Sequence, residues 1–172
     1  TTTDFFGKEI YTSKDKIPNQ QEVERRLTSY YWPYYSKVQA LLDERKTQFG
    51  KTLLWDAHSI RHLVPTIREG VFPDMILGDN DGKTAESSLI DCALSGLMSG
   101  DFGVNHNTPF KGGHITRYFG KPNENQHALQ LEMNKILYMD DTETVFDEER
   151  ANKIRIILKR TYNNLISQLD QL

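Results

Sequence analysis

Three stretches of the chain hold residue types whose spacing can do chemistry. In Trp55-Asp56-Ala57-His58-Ser59, a carboxylate and an imidazole stand two apart. Residues i and i+2 of an extended strand point to the same face, so the two side chains share a side. A neutral imidazole nitrogen is a ligand for zinc, and a carboxylate beside it can orient the ring as an outer partner. The competing reading of His58 is a hydrogen-bonded histidine at a strand end. In His127-Ala128-Leu129-Gln130-Leu131-Glu132-Met133, Glu132 shares a face with Gln130 while Leu129 and Leu131 point the other way. An ionisable group in an otherwise apolar strand is costly unless it has a partner or a task. Burial raises a carboxyl pKa and suits it to general-base work; a structural ion pair with an arginine is the alternative. The third stretch is Phe110-Lys111-Gly112-Gly113-His114-Ile115-Thr116-Arg117. Paired glycines let a backbone approach a ligand closely, and Arg117 can grip a carboxylate with two parallel hydrogen bonds. A flexible loop carrying a solvated arginine is the alternative.

Other patterns carry less. Asp79-Asn80-Asp81-Gly82 hints at a calcium loop, but aligning its glycine puts Leu77 and Ser88 at the first and last ligand positions, and the pattern fails. The aromatic run Tyr30-Tyr31-Trp32-Pro33-Tyr34-Tyr35 reads as packing, because no basic groove accompanies it. Cys92 is the only cysteine. It can neither close an internal disulfide nor hold a zinc alone, and it reads as an inert core thiol in a reducing, cytoplasmic compartment.

These residues need a frame to hold them. A helical stripe of Val23, Leu27, Tyr34, Val38, Leu41 and Leu42 begins after Pro18-Asn19, with Asn19 as N-cap, and ends at Gly50. Pro33 inside it predicts a kink or two abutting helices. Residues 51–58 read as the most buried strand, since Leu53, Leu54 and Trp55 are consecutive and apolar. Residues 74–77 and 103–105 read as short strands, 84–98 as a helix, 107–125 as loop, 127–133 as a fourth strand and 134–139 as the start of a short helix. Asp147 caps a last helix striped by Ile154, Ile157, Leu158, Thr161, Leu165, Ile166 and Leu169. The order of types predicts an α/β fold, a mixed β-sheet with helices on both faces, in one domain spanning residues 1–172.

Composition agrees with an ordinary folded domain. The 172 residues are 37% hydrophobic and 26% charged, with a formal net charge of −3. No apolar run approaches the ~18–20 residues that cross a bilayer, and no basic face invites a nucleic acid. The expected partner is a small-molecule substrate, with neither nucleic acid nor membrane.

Taken together the motifs resemble the N-formylglutamate amidohydrolase (N-formylglutamate deformylase) family. The resemblance rests on Phe6-Gly7-Lys8-Glu9-Ile10-Tyr11, Tyr31-Trp32-Pro33-Tyr34-Tyr35, Leu54-Trp55-Asp56-Ala57-His58-Ser59-Ile60, Phe72-Pro73-Asp74 with Leu77-Gly78, the stretch from Phe110 to Gly120, His127 to Glu132, and Leu137-Tyr138-Met139-Asp140. It implies a fold like that of the zinc carboxypeptidases. It implies hydrolysis of N-formyl-L-glutamate to formate and L-glutamate, late in one route of histidine breakdown, at a zinc site. His58 would match the family's late histidine ligand and Glu132 the glutamate that activates water. Arg117, Gly112 and Gly113 fall where the substrate carboxylate would be recognised, with Asp56 behind the histidine. The family carries further N-terminal sequence, with an early histidine motif for the other metal ligands, and this chain opens on Thr1. The expectation is therefore a C-terminal portion of such an enzyme, its N-terminal part missing, with an open sheet edge through which copies self-associate. Two other functions stay open: a related zinc-dependent amidase or peptidase acting on another N-acyl amino acid, and a truncated, non-catalytic domain.

Overall fold

The computed structural model describes residues 1–4 and 6–172; Phe5, within the polar stretch that reads as a loop, lies outside the described residues. The chain enters its first regular helix at α1 (Gln20–Arg26), where the Asn19 side chain accepts the Glu22 backbone N–H as the sequence predicts. One wider π-turn at Leu27–Tyr31 joins it to α2 (Trp32–Phe49). Pro33, in the first turn of α2, has no N–H to return to the preceding turn, and the helical ladder passes this point through the wider π-turn, where the Trp32 N–H bonds the Leu27 carbonyl. The two abutting helices follow from it, and Gly50, at φ 78°, ends the second.

Four strands form one mixed sheet: β1 (Thr52–Ile60), β2 (Met75–Gly78), β3 (Val104–His106) and β4 (Gln126–Asn134), in the order β1-β4-β2-β3. β1 runs parallel to β4, β2 antiparallel to β4, and β3 parallel to β2. This corrects the reading of β1 as the most buried strand. Its apolar triplet is covered on both faces, but the strand lies at the sheet edge and Ala57, His58 and Ser59 are exposed. Consecutive apolar residues report two covered faces and say nothing about a second neighbour.

Alternation along the strands divides the core. Leu53 and Trp55 of β1, Met75 and Leu77 of β2, and Leu129, Leu131 and Met133 of β4 pack against α3 (Ser87–Leu97) and α5 (Glu148–Asp170). A Cβ added at Gly96 of α3 would stand 2.7 Å from Thr161 Oγ1 of α5, so a glycine is needed where these helices touch. On the opposite face Leu54 joins Tyr35, Leu42 and Phe119 in a second cluster. The rings of Tyr31 and Tyr35 stack there at 4.2 Å and those of Tyr35 and Phe119 at 5.3 Å, so these two residues of the aromatic run pack as expected, while Tyr30, Trp32 and Tyr34 are exposed.

Phe119 belongs to α4 (His114–Phe119), a helix that the sequence reading placed within a loop. It has only six residues, lies between Gly113 and Gly120, and has no side-chain cap. Helices this short are held by their contacts rather than by propensity. The end of the chain follows the sequence closely: Asn134 caps the one-turn helix Lys135–Leu137, and Asp147 caps α5. No helix among the described residues is long and apolar enough to cross a membrane.

Candidate active site

The face of the sheet opposite α3 and α5 gathers the polar strand residues. β1 and β4 pair so that Asp56 stands beside Gln130 and His58 beside Glu132. On its other side Glu132 has Ile76 of β2 as its partner. One carboxylate thus sits between an imidazole-bearing edge strand and an apolar central strand. Burial pushes the Glu132 carboxyl above its ordinary range, helped by the charge of Asp56 and opposed by His58 and a Gln130 hydrogen bond. Among the described residues Glu132 is in no ion pair, so the arginine partner considered from the sequence is not there.

Asp56 and His58 meet as the i, i+2 spacing predicts. Asp56 Oδ1 lies 2.9 Å from His58 Nε2, with the aspartate side chain 11% exposed and the histidine 45%. The contact leaves the other ring nitrogen of His58 free of this partner. The second Asp56 oxygen is 3.5 Å from Thr116 Oγ1, reached from α4.

The loop before α4 closes over the same face. Gly78, the last residue of β2, leaves room for it: a Cβ there would lie 2.5 Å from the Gly112 nitrogen. Gly112 has φ 103°, a conformation open to glycine, so both members of this contact depend on a missing side chain. Gly113 then donates its N–H to Gln130 Oε1. Arg117, in the last turn of α4, donates from Nη1 to the Gly112 carbonyl at 2.5 Å. It forms no salt bridge among the described residues and is exposed.

The structure therefore brings together Asp56, His58, Glu132 and the Gly112–Gly113 backbone, and holds Arg117 against that backbone through one carbonyl. Sequence reasoning put Gln130 on the face of Glu132 without giving it a role, and it missed Thr116. Gln130 is 6% exposed. Thr116 gave no signal, because its direction depends on a helix that reads as loop. His62 stands apart, its Nδ1 2.9 Å from Asn134 Nδ2, and His114 pairs with the Tyr31 hydroxyl at 2.7 Å. Among the described residues no group of three His, Cys, Asp or Glu side chains is placed to hold a metal ion.

A family model described as N-formylglutamate amidohydrolase matches residues 1–139, which include every residue of this site. The chain belongs to the N-formylglutamate amidohydrolase family. It is 37% identical over 166 residues to the N-formylglutamate deformylase of Pseudomonas putida, covering 95% of this chain and 61% of that protein. With the N-formylglutamate deformylase of Pseudomonas aeruginosa it shares 34% identity, again over 95% of this chain and 62% of the relative. The chain thus spans about three-fifths of the length of these family members. The crystal structure of N-formylglutamate amidohydrolase from Ralstonia eutropha superposes with a TM-score of 0.75 at 26% identity, over 88% of this chain and 56% of that one. A gene product of Agrobacterium tumefaciens shares the fold, with a TM-score of 0.68 at 17% identity over 97% and 62% of the two chains.

Proposed function

We propose that this chain carries the general base and the carboxylate-recognition loop for hydrolysis of N-formyl-L-glutamate to formate and L-glutamate, a step in histidine degradation. The observation that carries the reading is the register of His58 with Glu132 on one face of adjacent strands, in a member of this family. A carboxyl held above its ordinary range by burial has the affinity for protons that a general base needs. Glu132 takes a proton from water as the water oxygen attacks the formyl carbon. The carbon–nitrogen bond breaks, and the same carboxyl returns its proton to the departing amine. Arg117, with donors free beyond its bond to Gly112, anchors a glutamate carboxylate and aligns the formyl group with Glu132.

Zinc, bound at such a site, polarises a carbonyl and acidifies water. A catalytic zinc takes three protein ligands, and the described residues offer one histidine with Asp56 behind it. They do not fit the ion by themselves, so no step above runs through it. The proposal for the metal is limited to His58 as a single ligand, through the nitrogen that Asp56 leaves free, with the others supplied by groups outside this set. Kinship with the zinc carboxypeptidases belongs to the same proposal. So does self-association of copies along the open edge of β1; one monomeric species in sedimentation over a wide concentration range overturns that part.

The experiment is an assay of formate release from N-formylglutamate, with formylaspartate and acetylglutamate beside it. Glu132→Gln is expected to lower turnover by about 100-fold or more. Near-normal turnover removes Glu132 from the mechanism, and preference for another acyl amino acid moves the substrate assignment.

A further inference from the structure

Gln130 is buried at 6% exposure in a central strand, and the function just proposed gives it no role. Its amide has one end that only accepts hydrogen bonds and one that only donates. The Gly113 N–H can only donate, and it meets this side chain, so Oε1 faces Gly113. Thr116 Oγ1 approaches the same oxygen at 3.4 Å. The amide nitrogen is then turned the other way, where Glu132 Oε2 lies 3.5 Å off. An ionised carboxylate only accepts, so the pairing has the right polarity at both ends. Among the described residues Gln130 supplies the only side-chain hydrogen bond to Glu132.

We propose that Gln130 is a positioning residue that couples the Gly112–Gly113 loop to the Glu132 carboxylate, so that a ligand seated on the loop also sets the base. The inference rests on the reading of Glu132 as that base. Its physical content is that one planar amide cannot move its oxygen without moving its nitrogen. A loop displaced by a bound carboxylate carries Gly113 with it, and the amide swings its NH₂ toward or away from Oε2. The long bond to Glu132 is the free play in this linkage, and hydrogen bonds of this kind commonly tighten when substrate binds. Neither Asp56 nor His58 can substitute, because neither is hydrogen-bonded to Gly113 among the described residues.

Two variants separate the ends of the amide. Gln130→Met removes both, and Gln130→Glu keeps an acceptor for Gly113 while facing Glu132 with a second acceptor. The first readout is the Gly113 amide signal in proton–nitrogen NMR spectra of the 172-residue chain. Glu132→Gln is expected to move that signal in the parent and to leave it in place in the Gln130→Met background. A signal that ignores Glu132→Gln in the parent, or responds equally without Gln130, overturns the coupling. The second readout is kinetic: Gln130→Glu keeps the Gly113 signal near its parent position while kcat for N-formylglutamate falls about 10- to 100-fold with KM little changed. Should Gln130→Met fail to fold, Gln130→Glu carries the decision, and parent-level kcat in that variant overturns the proposal. Loss of the proposed reaction shows itself differently, as a parent chain that couples Glu132 to Gly113 but releases no formate.

Discussion

Asp56 and Asp79 each hold a histidine, and their surroundings differ in the number of donors that meet the carboxylate. Asp79, directly after β2, is fully buried, and its Oδ2 lies 2.6 Å from His106 Nε2. Its Oδ1 accepts from Asn107 Nδ2 at 2.7 Å and from the Gly82 N–H at 2.8 Å. Asp56 has His58 at 2.9 Å and only a long contact to Thr116. Burial pushes the Asp79 carboxyl up, but the Asn107, Gly82 and His106 donors outweigh it and leave its pKa lowered. At Glu132 burial wins, because the charge of Asp56 adds to it while His58 and one long bond from Gln130 are too weak to offset it. Two carboxylates lifted by the same desolvation therefore end on opposite sides of their ordinary range. The saturated one locks a turn, and the unsaturated one is left with affinity for a proton.

Removing the saturated carboxylate should cost the most. Asp79→Ala removes a fully buried carboxylate that three donors share, and about 3 kcal/mol of unfolding free energy is the expected loss in urea titrations. Asp56→Ala should cost about 1 kcal/mol in the same titration. Equal losses would erase the distinction between the two pairs. The pH dependences should also oppose each other. The lowered pKa of Asp79 contributes stability above the ordinary carboxylate range, and that contribution is lost as pH falls through the folded value. Glu132, raised, works against the fold once pH climbs past its ordinary value of about 4.3. Glu132→Gln should therefore raise the melting temperature at pH 7, and the gain should close below about pH 4. A variant that loses turnover while gaining stability marks a functional carboxylate, and one that loses both marks a structural one.

His127 extends the comparison to a group without a hydrogen-bond partner among the described residues. It is 1% exposed, and neither of its ring nitrogens is bonded there. Burial holds its pKa below the ordinary imidazole value, against a weaker pull from Glu86. The unfolded chain then takes up a proton near pH 6.5 that the folded chain refuses, so stability falls as pH drops below about 6.5. His127→Leu should flatten that fall, with thermal melts of parent and variant separating most near pH 5. Melts that stay parallel from pH 8 to pH 5 would show that His127 is not the group responsible.

What the sequence revealed, and what it hid, follows the range of the interactions. The i, i+2 pairs Asp56–His58 and Gln130–Glu132 were legible because strand alternation is local. The N-caps Asn19 and Asp147 and the break near Pro33 were legible for the same reason. The parallel register that puts His58 beside Glu132 was not legible from periodicity, since nothing within either strand names its neighbour across the intervening chain. The edge position of β1 and the helix α4 were hidden because each is a property of what packs against it. Asp79 was read only as a failed calcium ligand, as its partners His106 and Asn107 arrive from the end of another strand.

The smallest expected effect calibrates the comparison. Asp147 caps α5 by accepting the Arg150 N–H at 2.9 Å, and its other oxygen lies 3.5 Å from Arg150 Nε. The side chain is 33% exposed, so water can replace much of what it gives. Asp147→Ala should then cost about 1 kcal/mol, the usual value of one N-cap, measured by the same urea titration. Asp79 makes the same kind of bond to a backbone N–H, at Gly82, and adds two side-chain donors around a carboxylate that is itself fully buried, although His106 is 39% exposed. If carboxylates are held in proportion to the donors they saturate in closed surroundings, Asp79→Ala must exceed Asp147→Ala by about 2 kcal/mol. Comparable losses at the two sites would mean that water takes the place of Asp79 at His106 and Asn107 without cost to the turn after β2. In that case the contrast between the locked aspartate and the poised glutamate would come from access of water rather than from the count of hydrogen bonds.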